Sequence, residues 1–173
     1  MIYTRSITLI ALFSALLFIQ EQLLSFIPNI QLTFFLIILF SKKLKLIEST
    51  LICFIYVILD NLALGNSYFI FVPFMLLGIL FIPLSINTIF KKIESNIHLA
   101  LLGVLFSFIY SFILIIPGCI TFDMDVITYL KGDITYELIL AVNSFLTTLL
   151  LYNACSKIFD KYNKKREGTK NDY

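Results

Sequence analysis

Charge is what this sequence has least of for its length. Only 14% of its 173 residues are Asp, Glu, Lys or Arg, against about a quarter in an average soluble domain. With 60% hydrophobic residues and a mean hydropathy of +0.96, a soluble domain of any size is excluded. Histidine is reduced to His98, so no second imidazole can complete a His-based metal set, and His98 reads as a helix cap at the interface. The cysteines Cys53, Cys119 and Cys155 show no CxxC spacing and sit within or beside apolar runs. They read as small packing residues, and no intramolecular disulfide is expected. HExxH, GxSxG and the G-x-x-x-x-G-K-[ST] loop are all missing, which leaves no zinc protease, no nucleophile elbow and no ATPase of its own. Asp60 is the only Asp well inside an apolar span, too few for the facing Asp pair of an intramembrane protease. The expectation is a chain that is not an enzyme, needs no cofactor and has no nucleic-acid partner. No small-x-small cleavage site follows the first apolar run, so that run is expected to stay as a helix.

What the sequence has is long apolar runs separated by short charged clusters, the pattern of a helical membrane protein. The basic clusters are Arg5, then Lys42, Lys43 and Lys45, then Lys91 and Lys92, and a last group from Lys157 to Lys170. Placing these on the cytoplasmic side accounts for twelve of the thirteen basic residues, with Lys131 alone outside, as the positive-inside rule prefers. Each gap between clusters must then cross the membrane an even number of times, and each has room for two spans of about 20 residues. The expected fold class is therefore an all-α membrane protein. It is a bundle of six transmembrane helices over residues 1–160, with both termini cytoplasmic and a disordered basic tail over residues 161–173 held near anionic headgroups.

The first helix, residues 5–26, is expected to organise the bundle. Ala11, Ser14 and Ala15 make a small-residue face on its lower half, where another helix can approach closely. Gln20-Glu21-Gln22 places an ionisable group within an apolar run, which costs several kcal/mol and so calls for a role or a partner. Helix 2 has only residues 29–40 before Ser41-Lys42, too few to cross about 30 Å of hydrocarbon. Residues 25–31 are therefore expected to dip below the outer surface, and non-helical backbone at that depth must line a cavity or be covered by protein. Helices 3 to 6 are expected over residues 47–64, 69–90, 97–116 and 134–159. Pro73, Gly78 and Pro83 favour a kink in helix 4. A polar outer loop over residues 121–133 could form a lid, and no internal repeat is visible.

Polar side chains group by depth. Glu21, Asp60 and Glu137, from helices 1, 3 and 6, all fall in the outer third, with Asn29, Gln31 and Asn61 at similar levels. Asn143 is deeper and also suits an interhelical hydrogen bond. A polar set at one end of an apolar bundle reads as a site open to the outside. Six acids around that end, Glu21, Asp60, Asp123, Asp125, Asp133 and Glu137, face one Lys131. Such a field favours a cation or an amine-bearing molecule. Tyr68, Tyr110, Tyr129 and Tyr136 could stack on a ring or hold a cation on their faces.

Ala11-Leu12-Phe13-Ser14-Ala15 matches an Ala-x-x-x-Ala face. Thr135-Tyr136-Glu137-Leu138-Ile139-Leu140-Ala141 resembles a Pro-Phe-Asp-Leu-Ile-His-Ala motif, with Glu137 for the Asp, Leu140 for the His, Ala141 kept and Asn143 following. With the six-helix layout and the dipping first loop, the chain resembles the substrate-binding S component of energy-coupling factor (ECF) transporters. The resemblance implies capture of a small micronutrient from outside, a thiamine-like or other nitrogen heterocycle on the charge argument. It implies docking through Ala11, Ser14 and Ala15 on a transmembrane T component, with two cytoplasmic ATPases supplying the free energy. The expected substrate residues are Glu21, Asn29, Gln31, Asp60, Asn61, Tyr68, Tyr136, Glu137 and Asn143, with no metal, in a bacterial plasma membrane.

Two other classes stay open. The membrane subunit of the bacterial cell-wall elongation machinery has a similar helix count, an acid in helix 1 and an Asp late in helix 3, and would bind no small molecule. A stand-alone transporter or channel is the other. A closed outer cavity favours the S component, a filled bundle the scaffold, and an open path through the bundle the channel.

Overall fold

The computed structural model describes residues 4–64 and 66–168, with side chains over 6–63 and 69–161. All regular elements among the described residues are helical. They are α1 (Thr4–Leu24), α2 (Thr33–Lys43), α3 (Leu46–Leu64), a 3-10 turn (Asn66–Phe71), α4 (Val72–Thr88), α5 (Asn96–Phe122) and α6 (Val126–Gly168). Five stretches are long and apolar enough to cross a membrane: Ser6–Leu24, Leu46–Ala63, Phe69–Thr88, Asn96–Phe122 and Val126–Lys161. They turn large apolar side chains such as Leu12, Leu23, Leu62, Leu77, Phe112 and Leu150 outward. A water-soluble chain does not expose apolar surface on that scale.

α2 is the exception, and it is the centre. Its eleven residues span about 16 Å at 1.5 Å per residue, roughly half a hydrocarbon core. Thr33 to Ser41 are all buried, and α2 touches each of the other five α-helices. Its sequence Thr33-Phe-Phe-Leu-Ile-Ile-Leu-Phe40 has no polar stripe, as a helix buried on every side requires. The expectation that helix 1 organises the bundle is corrected here: α1 packs on α3 and lightly on α2, leaving one side to the surroundings.

Contacts between helix ends define a terminal end of the bundle. Ser6 donates to Glu48 at 2.8 Å, Lys42 donates to the carbonyl of Phe90 at 2.9 Å, and Lys43 pairs with Asp160 at 2.7 Å. Phe13, Phe40 and Phe159 stack above them, with centroids 4.5 to 6.1 Å apart. α5 and α6 form the most extensive helix pair. A Cβ at Gly103 would strike the Ser144 hydroxyl, so a larger residue there would need that side chain to turn away.

Three sequence expectations change. α5 runs through Pro117 and Gly118 to Phe122, and α6 starts at Val126, so the loop expected over residues 121–133 shrinks to Asp123, Met124 and Asp125. No lid forms there. Two acids make the tight connection. Asp123 closes α5 in the left-handed conformation, φ 50°, which Asp tolerates better than most residues. Asp125 caps α6 by accepting from the backbone N–H of Thr128 at 3.0 Å and its hydroxyl at 2.7 Å. Those two bonds, the hydroxyl's first, hold its carboxyl below the usual range, because they favour the charged form. Second, Pro73 opens α4 from its first turn, where a missing N–H costs nothing, and only Pro83 lies inside the helix. Third, α6 is helical across Lys161 as far as Gly168, where a disordered tail was expected, and residues 169–173 lie outside the description.

Candidate functional site

The end of the bundle away from these contacts is built over the short helix. α1 stops at Leu24, and the chain turns through Pro28 to reach α2 at Thr33. Asn29 takes a left-handed conformation, φ 58°, and its amide donates to the Tyr136 carbonyl of α6 at 2.8 Å. Asn143, also on α6, donates to the Gln31 carbonyl. Gln20 is buried on α1. Its oxygen accepts from the Leu32 backbone N–H at 2.8 Å, and its nitrogen donates to the Thr33 hydroxyl at 2.8 Å. Residues 25–32 are thus non-helical backbone tied to α1 through the Leu32 N–H and to α6 through the Gln31 carbonyl and the Asn29 side chain.

Under this segment lies a cavity of about 380 Å³. Glu21 from α1, Asp60 from α3, and Asp133 and Glu137 from α6 all line it, and no Lys, Arg or His does. The Tyr56 hydroxyl donates to Glu21. Gln22 donates weakly to Asp60 at 3.4 Å. Glu137 is 9% exposed, and its Oε2 has no hydrogen-bond partner. The rest of its carboxyl lies beside the Ser111 hydroxyl and the Asp133 carboxyl, so the open oxygen belongs to a residue of the cavity wall. Asn29 and Gln31 supply amide groups, while Ile27, Pro28, Ile30, Leu114 and Leu140 make the rest of the wall apolar.

Two tyrosines reach this wall because glycines make room. A Cβ at Gly78 would meet the ring of Tyr110, and one at Gly118 would fall on the ring of Tyr129. Tyr110 is also held edge-on by Phe34, at 5.8 Å between centroids. The wall therefore offers four acids and two aromatic rings.

Of the expected substrate residues, Glu21, Asn29, Gln31, Asp60 and Glu137 line the cavity. The others do not. Asn61 is buried and turned to Val57 and Met75, donating to the first's carbonyl at 2.8 Å and the second's sulfur at 3.3 Å, because one residue after Asp60 is about 100° around the helix. Tyr136 is half-exposed and joins the site through its backbone carbonyl. Asn143 braces Gln31 from outside the cavity. Tyr68 lies outside the described side chains. On the docking face, Ser14 is 1% exposed and its hydroxyl donates to the Ile52 carbonyl of α3 at 3.4 Å. It belongs to internal packing, which leaves Ala11 exposed and Ala15 half-buried. Sequence reasoning missed Tyr56 and Ser111. Tyr56 was findable, since it stands four residues before Asp60 and so on the same helix face; Ser111 gave no signal beyond its place beside Tyr110.

Among the described residues no three His, Cys, Asp or Glu are gathered to hold a metal ion. What fold and cavity define is a class: a chain whose described residues are all-helical, with five helices long and apolar enough to cross a membrane and an acid-walled chamber at one end. No family model, curated protein or solved structure matches the chain.

Proposed function

We propose that this chain is the substrate-capture subunit of an energy-coupling-factor importer in a bacterial plasma membrane. Its far end faces outward and its termini are cytoplasmic. The observation that carries the reading is the 380 Å³ chamber walled by carboxylates from α1, α3 and α6, with no basic residue to neutralise them. Its size lies in the range of small-molecule sites. Acids clustered with no basic residue among them favour a ligand bearing a cationic nitrogen. Tyr110 and Tyr129 add cation–π or stacking contacts worth about 0.5–2 kcal/mol each. The ligand class is a cationic or amine-bearing micronutrient with an aromatic ring.

The bundle would release this ligand inside after docking its α1 flank, at Ala11 and Ala15, on a T component powered by two separate ATPases. A structural subunit of the cell-wall machinery would have no need of the chamber. Native mass spectrometry of the full chain, extracted gently with its neighbours, tests the reading. The expected spectrum holds a nitrogen-bearing small molecule and three further subunits. A chain that copurifies alone, and is stabilised only by anionic vitamins, would refute it.

A further inference from the structure

A second cavity, about 440 Å³, lies at the terminal end, where the last turn of α2, the end of α4, the α4–α5 link and the late part of α6 meet. Its charge is opposite to the first. Lys42, Lys43 and Lys91 line it against a single acid, Glu94. Lys42 is held in place, because its ammonium donates to the carbonyls of Phe90 at 2.9 Å and Lys91 at 3.1 Å. An ammonium has three donors, so one remains. Lys43 spends one on Asp160 at 2.7 Å.

Two lysines in the last turn of α2 would be explained by the helix dipole alone. Lys91 and Tyr152 would not. Lys91 sits on the link, exposed and without an ion pair among the described residues. Tyr152 is 7% exposed and lines the cavity, yet its hydroxyl makes no hydrogen bond to any described residue. Its ring is buried while its hydroxyl oxygen stays open to the cavity, where it can donate. Ser156, four residues on and so on the same face of α6, lines the cavity too.

We propose that this cavity binds a phosphate-bearing anion. Lys42 and Lys91 supply charge, Tyr152 and Ser156 donate hydroxyl hydrogens, and Lys43 adds its remaining donors. The site lies between membrane-crossing helices at their ends, where basic pockets meet lipid headgroups. The shared chemistry is the phosphate, whether carried by a lipid or free in solution.

The test uses the full chain in neutral detergent. Native mass spectrometry titrates it with phosphatidylglycerol or phosphatidylcholine, and thermal unfolding compares inorganic phosphate with chloride at equal ionic strength. One site should retain phosphatidylglycerol at least about tenfold better than phosphatidylcholine, or phosphate should stabilise above chloride. The first result identifies a lipid source and the second a free one. Lys91→Gln should weaken the binding about fivefold, and Tyr152→Phe should weaken it without lowering the unfolding temperature. The proposal is overturned if both lipids bind alike while phosphate matches chloride. It is equally overturned if binding survives both K91Q and Y152F unchanged.

Discussion

Gln20→Leu is the sharpest probe of how the far-end chamber is closed. The substitution keeps most of the side-chain volume and removes both polar ends. Gln20 is 7% exposed, so water does not replace what is lost. The Leu32 N–H loses its acceptor at 2.8 Å. The Thr33 hydroxyl loses the donor from Gln20 but still donates to Gln31 at 3.2 Å. A stranded, half-buried donor costs about 1–3 kcal/mol, and the lost Thr33 bond about 1 more. The start of α2 and residues 25–31 should therefore open more easily by about 2–4 kcal/mol. At 1.4 kcal/mol per decade, that is roughly 30- to 1,000-fold.

Hydrogen exchange in detergent reads this directly. The Leu32 amide and its neighbours should exchange faster by that factor, while α4 and the core of α5 keep their protection. Thr33→Val is the control: it removes only the Thr33 bonds and should cost about 1 kcal/mol. If Q20L and T33V exchange alike at Leu32, both near the unsubstituted rate, the segment is held by something other than Gln20 and the account of its closure is wrong.

Glu137→Gln keeps the shape of the chamber wall and removes one charge. A cation about 4 Å away, at an effective dielectric near 20, gains about 4 kcal/mol from that carboxylate; with part of it recovered by the amide, affinity for a cationic ligand should fall about 10- to 100-fold by calorimetry, and unchanged affinity would remove Glu137 from the site. Gly118→Ala puts a methyl on the Tyr129 ring, so ligand affinity should drop several-fold while the unfolding temperature moves little, because the ring can shift aside; a large loss of stability with intact binding would contradict this. Ala11→Trp or Ala15→Trp should abolish copurification with a T component and leave ligand binding intact. Normal assembly of both variants would end the docking assignment.

Much of the layout was legible because membrane helices advertise themselves by length and apolarity. The short second helix and the non-helical segment before it followed from counting residues between Pro28 and Lys42. Glu21, Asp60 and Glu137 could be grouped by depth, since each stands a similar distance from a chain turn. Rotation about the helix axis was not legible. Asn61 and Ser14 lie at the right depth and face the wrong way, and apolar runs with no polar stripe give no period from which to read a facing direction. The loop before α6 was misread for a different reason. Asp123, Asp125 and Asp133 make the stretch polar, and polarity suggests loop. Here two of those acids are helix caps, and the third stands on the helix they start. The central place of α2 was visible in principle, because a helix without any polar face has to be covered on all sides.

The two cavities share a cause in that helix. α2 covers about 16 Å of a layer about 30 Å thick, so space is left beyond each of its ends. Its dipole puts about half a positive charge at Thr33 and half a negative charge at Lys43. Each cavity carries side chains of the sign opposite to the helix end it adjoins: four carboxylates around the N-terminus, and three lysines at the C-terminus, two of them in the last turn of α2 itself. Neutralising the dipole would take one side chain or fewer at either end. At the N-terminal end the four acids exceed what the dipole needs, with no basic residue in the wall; at the other end Glu94 and the Lys43–Asp160 pair leave one of the three lysines without a counter-charge. A fold under selection for stability alone has no use for that excess, since like charges gathered around a cavity repel one another. The two proposed ligands, each of the complementary sign, would account for it.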